Sequence, residues 1–161
     1  MLEDKIISEL SKRLDPGCFL EGPFTRGKQI FLRIERKCLK HSIEFLRSSG
    51  YTHLSAITAL DANDEIELLY HLSNRNVLLT IRVRLPKNAV VVSSITNVIR
   101  GATLYEQEIH ELFGVEFEGH PNLKPLILPD DWPNAVHPLR KDNPIEKPEA
   151  KKRKEESAGI S

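Results

Sequence analysis

Apolar residues along the chain recur first with the period of a helix and then with the period of a strand. Leu2, Ile6, Leu10 and Leu14 stand at helical spacing, and Asp15-Pro16-Gly17 ends that helix. Ile30, Leu32 and Ile34 alternate with Phe31 and Arg33, as in a strand half exposed to water. Leu39, Ile43 and Leu46 return to helical spacing, and Ser48-Ser49-Gly50 closes that element. Three strands are predicted next. The first runs from Tyr51 to Leu60 and ends at the turn-prone Asp61-Ala62-Asn63-Asp64. In the second, Ile66, Leu68, Tyr70 and Leu72 alternate with Glu67, Leu69 and His71. After Asn74-Arg75-Asn76, the third sets Val77, Leu79, Ile81, Val83 and Leu85 against Thr80, Arg82 and Arg84. Short turns between alternating runs predict antiparallel hairpins, and Pro86, which cannot donate to a ladder, ends the last strand.

The pattern changes again near Gly101. Val90 to Arg100 is apolar and β-branched, a short helix or connector. Thr103 and Glu106 have the spacing of a capping box at the start of a helix. On that helix Tyr105, Ile109, Leu112 and Phe113 form a buried stripe, while Glu108 and Glu111, with Gln107 beside them, share another face. Gly114 is the C′ residue and Val115-Glu116-Phe117 a short extended piece. Seven prolines follow, at 121, 125, 129, 133, 138, 144 and 148. The predicted fold is an α+β two-layer domain. It has a mainly antiparallel four-stranded sheet with helices packed on one face, followed by an extended Pro-rich C-terminal arm. Its expected divisions are a domain over 1–117, an interaction arm over 118–145 and a disordered polar tail over 146–161. The arm carries Leu123, Leu126, Ile127, Leu128 and Trp132, so part of the surface it lies on is expected to belong to another chain.

Composition narrows the function. Of 161 residues, 40% are hydrophobic and 29% charged, and 23 Lys plus Arg balance 23 Asp plus Glu. That balance gives no net field toward nucleic acid or lipid and suits a protein that works inside an assembly. The N-terminus mixes charge with apolar residues, unlike a secretion signal, and no stretch approaches the roughly 20 apolar residues that cross a bilayer. Cys18 and Cys38 form no CxxC pair. A disulfide between them is possible, but a leaderless chain points to the cytosol and hence to two small buried thiols. Two thiolates fall short of the four an iron–sulfur cluster usually takes.

Several constellations invite chemistry. His110-Glu111 begins like a zinc-protease helix, but position 114 is Gly where the second His belongs, so the motif fails. Glu106, Glu108 and Glu111 read as general acids or metal ligands, as a cap with a solvated helix face, or as partners of Arg or Lys on another chain. His120 and His137 each precede Pro, 17 residues apart. With a carboxylate they would bind a metal, making the chain a stand-alone metalloenzyme; otherwise their rings satisfy backbone carbonyls in the loop. Trp132 is a cofactor platform or a core or interface anchor. His41, His53 and His71 read as ordinary helix and strand residues, and Lys151 to Lys154 as part of a solvated tail. From the residues alone the chain is a binding or assembly module without a visible catalytic centre.

The stretch LYEQEIHELFGVEFEGHPNLKPLIL, followed by DDWP and HPLRKD, resembles a known signature. It is that of the thirty-kilodalton (C-type) subunit family of respiratory complex I and the related membrane-bound nickel–iron hydrogenases. LSAITALD and IELLYHL resemble that family's strands, and the resemblance covers Leu32 to Asp142. Two positions depart from it: Gln107 stands where the family has Arg, and Asn143 where Phe is usual. The compact length and KPLILPDDWP look like a hydrogenase or archaeal-type version. The resemblance implies a cofactor-free, non-catalytic subunit of a peripheral cytoplasmic arm, bound to the membrane only through its complex. Its implied partners are a hydrogenase-like large subunit and a small iron–sulfur subunit. Iron–sulfur clusters and nickel–iron, flavin or quinone groups would belong to partners. Interface or structural roles then fall on Glu106, Glu108, Glu111, Phe113, Gly114, Gly119, His120, Pro121, Trp132, His137, Pro138, Leu139 and Arg140.

Overall fold

A computed structural model describes residues 2–142; the predicted tail over 146–161 lies outside the described residues. The two N-terminal helical patterns become α1 (Leu2–Arg13) and α2 (Leu39–Ser48). The alternating runs become β2 (Gln29–Ile34), β3 (His53–Asp61), β4 (Glu65–Ser73) and β5 (Leu78–Pro86). As the short turns predict, β3–β4 and β4–β5 pair antiparallel.

The sheet itself differs from the four-stranded antiparallel expectation. It has five strands in the order β1-β2-β5-β4-β3, and β2 lies parallel to β5. The added strand, β1 (Phe19–Arg26), forms a hairpin with β2 at Gly27-Lys28. No clean alternation announces it, because its register shifts twice, on either side of Glu21, and nearly all of it is exposed. The parallel pair arises because α2, β3 and β4 intervene between β2 and β5, which gives the chain length for a crossover.

Two further readings are corrected. Cys18 and Cys38 are joined in a disulfide instead of standing as separate thiols. Within the predicted connector, Val91–Ser93 is a strand, β6, paired in parallel with β7 (Glu116–Glu118) beyond helix α3 (Ala102–Phe113).

One face of the sheet makes the core. Ile30, Leu32, Leu68, Tyr70, Leu72, Leu79, Ile81 and Val83 are buried there with Ile6 and Leu10 of α1, Leu39, Ile43 and Leu46 of α2, and Ile109 and Phe113 of α3. Removing each such aliphatic side chain from water contributes about 1.5–3 kcal/mol. The other face is polar. Glu67 receives Arg82 and Arg84 at 3.2 Å each, Arg33 pairs with Glu21, and the His71 ring lies between the hydroxyls of Thr58 and Thr80. The result is an α+β two-layer domain with helices packed against a mixed sheet.

Candidate functional site

The candidate site is α3 with the loop that follows it. Val92 and Phe117 are buried where β6 meets β7, and the Ser94 N–H donates to the Glu118 carbonyl at 2.8 Å. This pairing brings Ser94 and Ile95 against the first turns of α3. There Glu106 is wholly buried, accepting from the Ser94 hydroxyl at 2.6 Å and the Ile95 N–H at 2.8 Å. The predicted capping box therefore does not form. The helix begins at Ala102 after Gly101, and the Thr103 hydroxyl donates back to the Arg100 carbonyl at 2.8 Å. Burial raises the Glu106 pKa, against the opposing pull of the Ser94 and Ile95 donors and of His120. The Tyr70 hydroxyl is also buried, with no hydrogen-bond partner among the described residues; burial and the nearby Glu106 charge raise its pKa well above the usual value.

One turn and more along the helix, Glu111 does the opposite. It accepts three successive backbone N–H groups, from Leu126 at 3.1 Å, Ile127 at 2.8 Å and Leu128 at 2.7 Å. Burial works to raise its pKa, but these donors, with His110 nearby, outweigh it and hold the carboxyl below its ordinary value. Glu111 is thus buried in the loop's backbone, and the solvated helix face keeps only Glu108. Gln107, at the position where the resembled family carries Arg, donates its amide to the Asn122 carbonyl at 2.8 Å.

The two histidines hold opposite ends of the same loop. His120 Nε2 donates to the Thr103 carbonyl at 3.1 Å while its Nδ1 accepts from the Asn122 N–H at 2.9 Å. His137 Nδ1 donates to the Glu111 carbonyl at 2.9 Å. Thr103 and Glu111 are eight residues apart on the helix, about 12 Å at 1.5 Å per residue, so the rings do not converge on one ion. This separation disfavours the metalloenzyme reading through His120 and His137. Among the described residues no group of three or more His, Cys, Asp or Glu side chains is placed to hold a metal.

The close approach of His137 explains Gly114. Its φ is +72°, and a Cβ there would lie 2.5 Å from His137 Cδ2. Phe113 is buried in the core just before it. Further along, Trp132 Nε1 donates to the Val136 carbonyl at 2.8 Å, folding the DDWP segment on itself. The Leu139 N–H reaches the Leu112 carbonyl at 3.1 Å. The segment then meets the sheet: the Lys141 N–H donates to Asp61 at 2.8 Å, and Asp61 also binds Lys87 at 2.8 Å. Burial raises the Asp61 pKa, but Lys87, Lys141 and Asn63 bring the net shift below the ordinary value. Arg140 binds Asp142 through both carboxylate oxygens and lowers that pKa strongly.

Gly119, Pro121 and Leu139 face solvent, and Pro138 is half-buried. Leu104, Leu126 and Ile127 are exposed apolar side chains on the same part of the molecule. Between the helix and the loop lies a cavity of about 300 Å³, lined among others by His110, Leu128, Trp132 and Val136. Sequence reasoning missed Ser94, Asp61 and Lys87. Ser94 carries no pattern of its own, and Asp61 meets its partner 80 positions away.

Comparison with known proteins finds relatives of the chain. The profile of the family described as respiratory-chain NADH dehydrogenase, 30 Kd subunit, matches residues 32–149. The C subunit of the F(420)H(2) dehydrogenase of Methanosarcina mazei is 37% identical over 114 residues, 68% of this chain and 72% of that one. The C/D subunit of the NADH-quinone oxidoreductase of Yersinia pestis is 31% identical over 157 residues; the match spans 89% of this chain and 26% of that longer one. Among solved structures, a chain of the membrane-bound sulfane sulfur reductase, an archaeal respiratory membrane complex, superposes with a TM-score of 0.78 at 24% identity, covering 90% of this chain and 87% of that one. A trypsin-resistant fragment of Nqo5 gives 0.64 at 21% identity, covering 76% of this chain and all of that fragment. These two likenesses are of fold. No helix among the described residues is long and apolar enough to cross a membrane.

Proposed function

Because the chain belongs to the family of the respiratory-chain NADH dehydrogenase 30 Kd subunit, we propose that it works as a non-catalytic, cofactor-free subunit of a complex I-like membrane-bound oxidoreductase. Its place is the peripheral arm on the cytoplasmic side, docked on a hydrogenase-like large subunit beside a small iron–sulfur subunit. Iron–sulfur clusters, and any nickel–iron, flavin or quinone group, belong to those partners, as do electron transfer and ion translocation. The observation that carries this reading is how α3 uses its polar side chains. Gln107 and Glu111 bind backbone of the following loop and fix its shape, while Glu106 ties the helix to Ser94 and Ile95; Leu104, Leu126, Ile127 and Leu139 stay exposed. A loop shaped this way is preorganised for docking.

The site residues divide accordingly. Glu106 and Phe113 seat α3 on the domain, Glu111, Gly114, His120, Trp132 and His137 shape the loop, and Arg140 orients its end through Asp142. Glu108, Gly119, Pro121 and Leu139 are the exposed positions for a partner, with Pro138 setting the direction of Leu139. In this reading residues 1–117 are the body, 118–145 the docking arm and 146–161 a polar tail.

The test is purification of the tagged chain from its native membranes, with co-purifying subunits identified and metals counted. Recovery with a hydrogenase-like large subunit and an iron–sulfur subunit supports the reading, and the cysteines of the large subunit then distinguish a hydrogenase from a quinone reductase. A lone protein carrying stoichiometric metal overturns it.

A further inference from the structure

The Cys18–Cys38 bridge is used by nothing in the proposed function. It joins the turn after α1 to the turn before α2, with Cα atoms 5.9 Å apart, a span that a disulfide bridges without moving backbone. Cys18 precedes the residues matched by the family profile and Cys38 lies within them. The bond therefore fastens a segment the profile does not cover to the shared domain. In that segment α1 packs through Ile6 and Leu10, Leu14 just beyond it is buried too, and the Arg13 guanidinium lies 5.2 Å from the centre of the Phe45 ring. Its backbone hydrogen bonds are internal, whereas β1 is laddered to β2.

A cleft of about 320 Å³ is lined by both cysteines, themselves only 2% and 5% exposed, and Arg13, Leu14, Asp15, Lys37 and His41 complete its lining. Two permanent cations and an imidazole there face the Asp15 carboxylate, with the Glu44 carboxylate 3.7 Å from the His41 ring. Thiol–disulfide exchange needs an attacking thiolate and a departing one, and neighbouring cations stabilise both. We propose that Cys18–Cys38 is a reversible redox latch that fastens α1 to the domain and opens to a dithiol entering this cleft. One thiolate of the dithiol attacks a sulfur of the bridge and the other cysteine sulfur leaves as thiolate. The second thiolate of the reductant then attacks its own sulfur in the mixed disulfide, and the remaining protein cysteine leaves as thiolate. Two electrons and two protons pass to Cys18 and Cys38, and the dithiol becomes a disulfide. The reduced protein keeps its sheet and loosens α1.

The experiment uses the natively purified protein, prepared without reductant. Alkylation with iodoacetamide followed by mass spectrometry should find neither cysteine modified before dithiothreitol and both modified after it, without denaturant. On reduction the amides of residues 2–13 should exchange with deuterium faster by roughly one to two orders of magnitude, while β4 and β5 stay unchanged. Replacing one cation of the cleft and its imidazole, Lys37→Gln with His41→Gln, should slow reduction about tenfold and leave its end point alone. The proposal fails if two free thiols persist in the presence of oxidised glutathione. It also fails if the bridge resists dithiothreitol until the protein is denatured, or if α1 exchanges equally in both forms. Reduction of the unaltered chain is the perturbation, so no cysteine variant has to fold.

Discussion

The sheet and the loop after α3 are held by opposite means. In β4 and β5 every second residue is buried against the same core, and each strand is bonded on both sides, β5 between β2 and β4 and β4 between β5 and β3. Loss of one contact there leaves many others. The loop from His120 to Asp142 contains no strand or helix; its backbone is met instead by Gln107, Glu111 and Asp61, and its His120 and His137 rings donate to the Thr103 and Glu111 carbonyls. Burial gives the sheet a stability that is distributed. Directional bonds from one helix give the loop a shape that depends on a few atoms.

The contrast breaks most visibly at the core. Ile81→Ala, in a fully buried position on β5, should lower global stability by about 3–4 kcal/mol, read as a fall in the urea midpoint without change of slope. Glu111→Ala should have a smaller and local effect. Removing one acceptor leaves the N–H groups of Leu126, Ile127 and Leu128 to water, and docking of the loop should weaken by about 2–3 kcal/mol. Limited proteolysis should then cut within 122–136 while the sheet amides stay protected. Equal loss of protection in β4 and β5 would show that loop and sheet are one cooperative unit. Gly114→Ala should cost about 1–2 kcal/mol, from its left-handed φ and the displaced His137 ring. That displacement should appear as a changed His137 imidazole signal by NMR.

The smallest effects sharpen the same contrast through pH. Glu111, Asp61 and Asp142 have folded-state pKa values below their ordinary ones. Their contribution is complete above the ordinary carboxylate range and is lost as pH falls through the lowered values, so acid should undock the loop. Glu106 has the opposite sign. Its pKa is raised, so its contribution is complete below the ordinary range and fades as pH rises through the raised value. Glu106→Gln should therefore remove part of the stability lost as pH rises above the ordinary carboxylate range, and Glu111→Gln part of the loss toward acid. Identical pH profiles for the two variants would sink the distinction between these carboxylates.

Much was legible because it is periodic. The spacing of Leu2, Ile6, Leu10 and Leu14, the alternation from Ile66 to Leu72 and from Val77 to Leu85, and the glycine after Phe113 each state a local preference that burial then enforces. The signature around α3 was legible as a family pattern, although the work of each residue in it was not. By itself the sequence determined the helices, the β3-β4-β5 meander and the kinship of the chain, since these rest on contacts between residues close along it or on a pattern kept whole. Only the tertiary structure decided that β1 joins the sheet, that β2 lies parallel to β5, that Cys18 meets Cys38, and that Glu106 and Glu111 face inward with opposite charge preferences. Those outcomes depend on which distant groups meet: Ser94 at Glu106, three loop amides at Glu111, Lys141 at Asp61. A carboxylate's neighbours, more than its spacing, set whether burial or hydrogen bonding governs its charge.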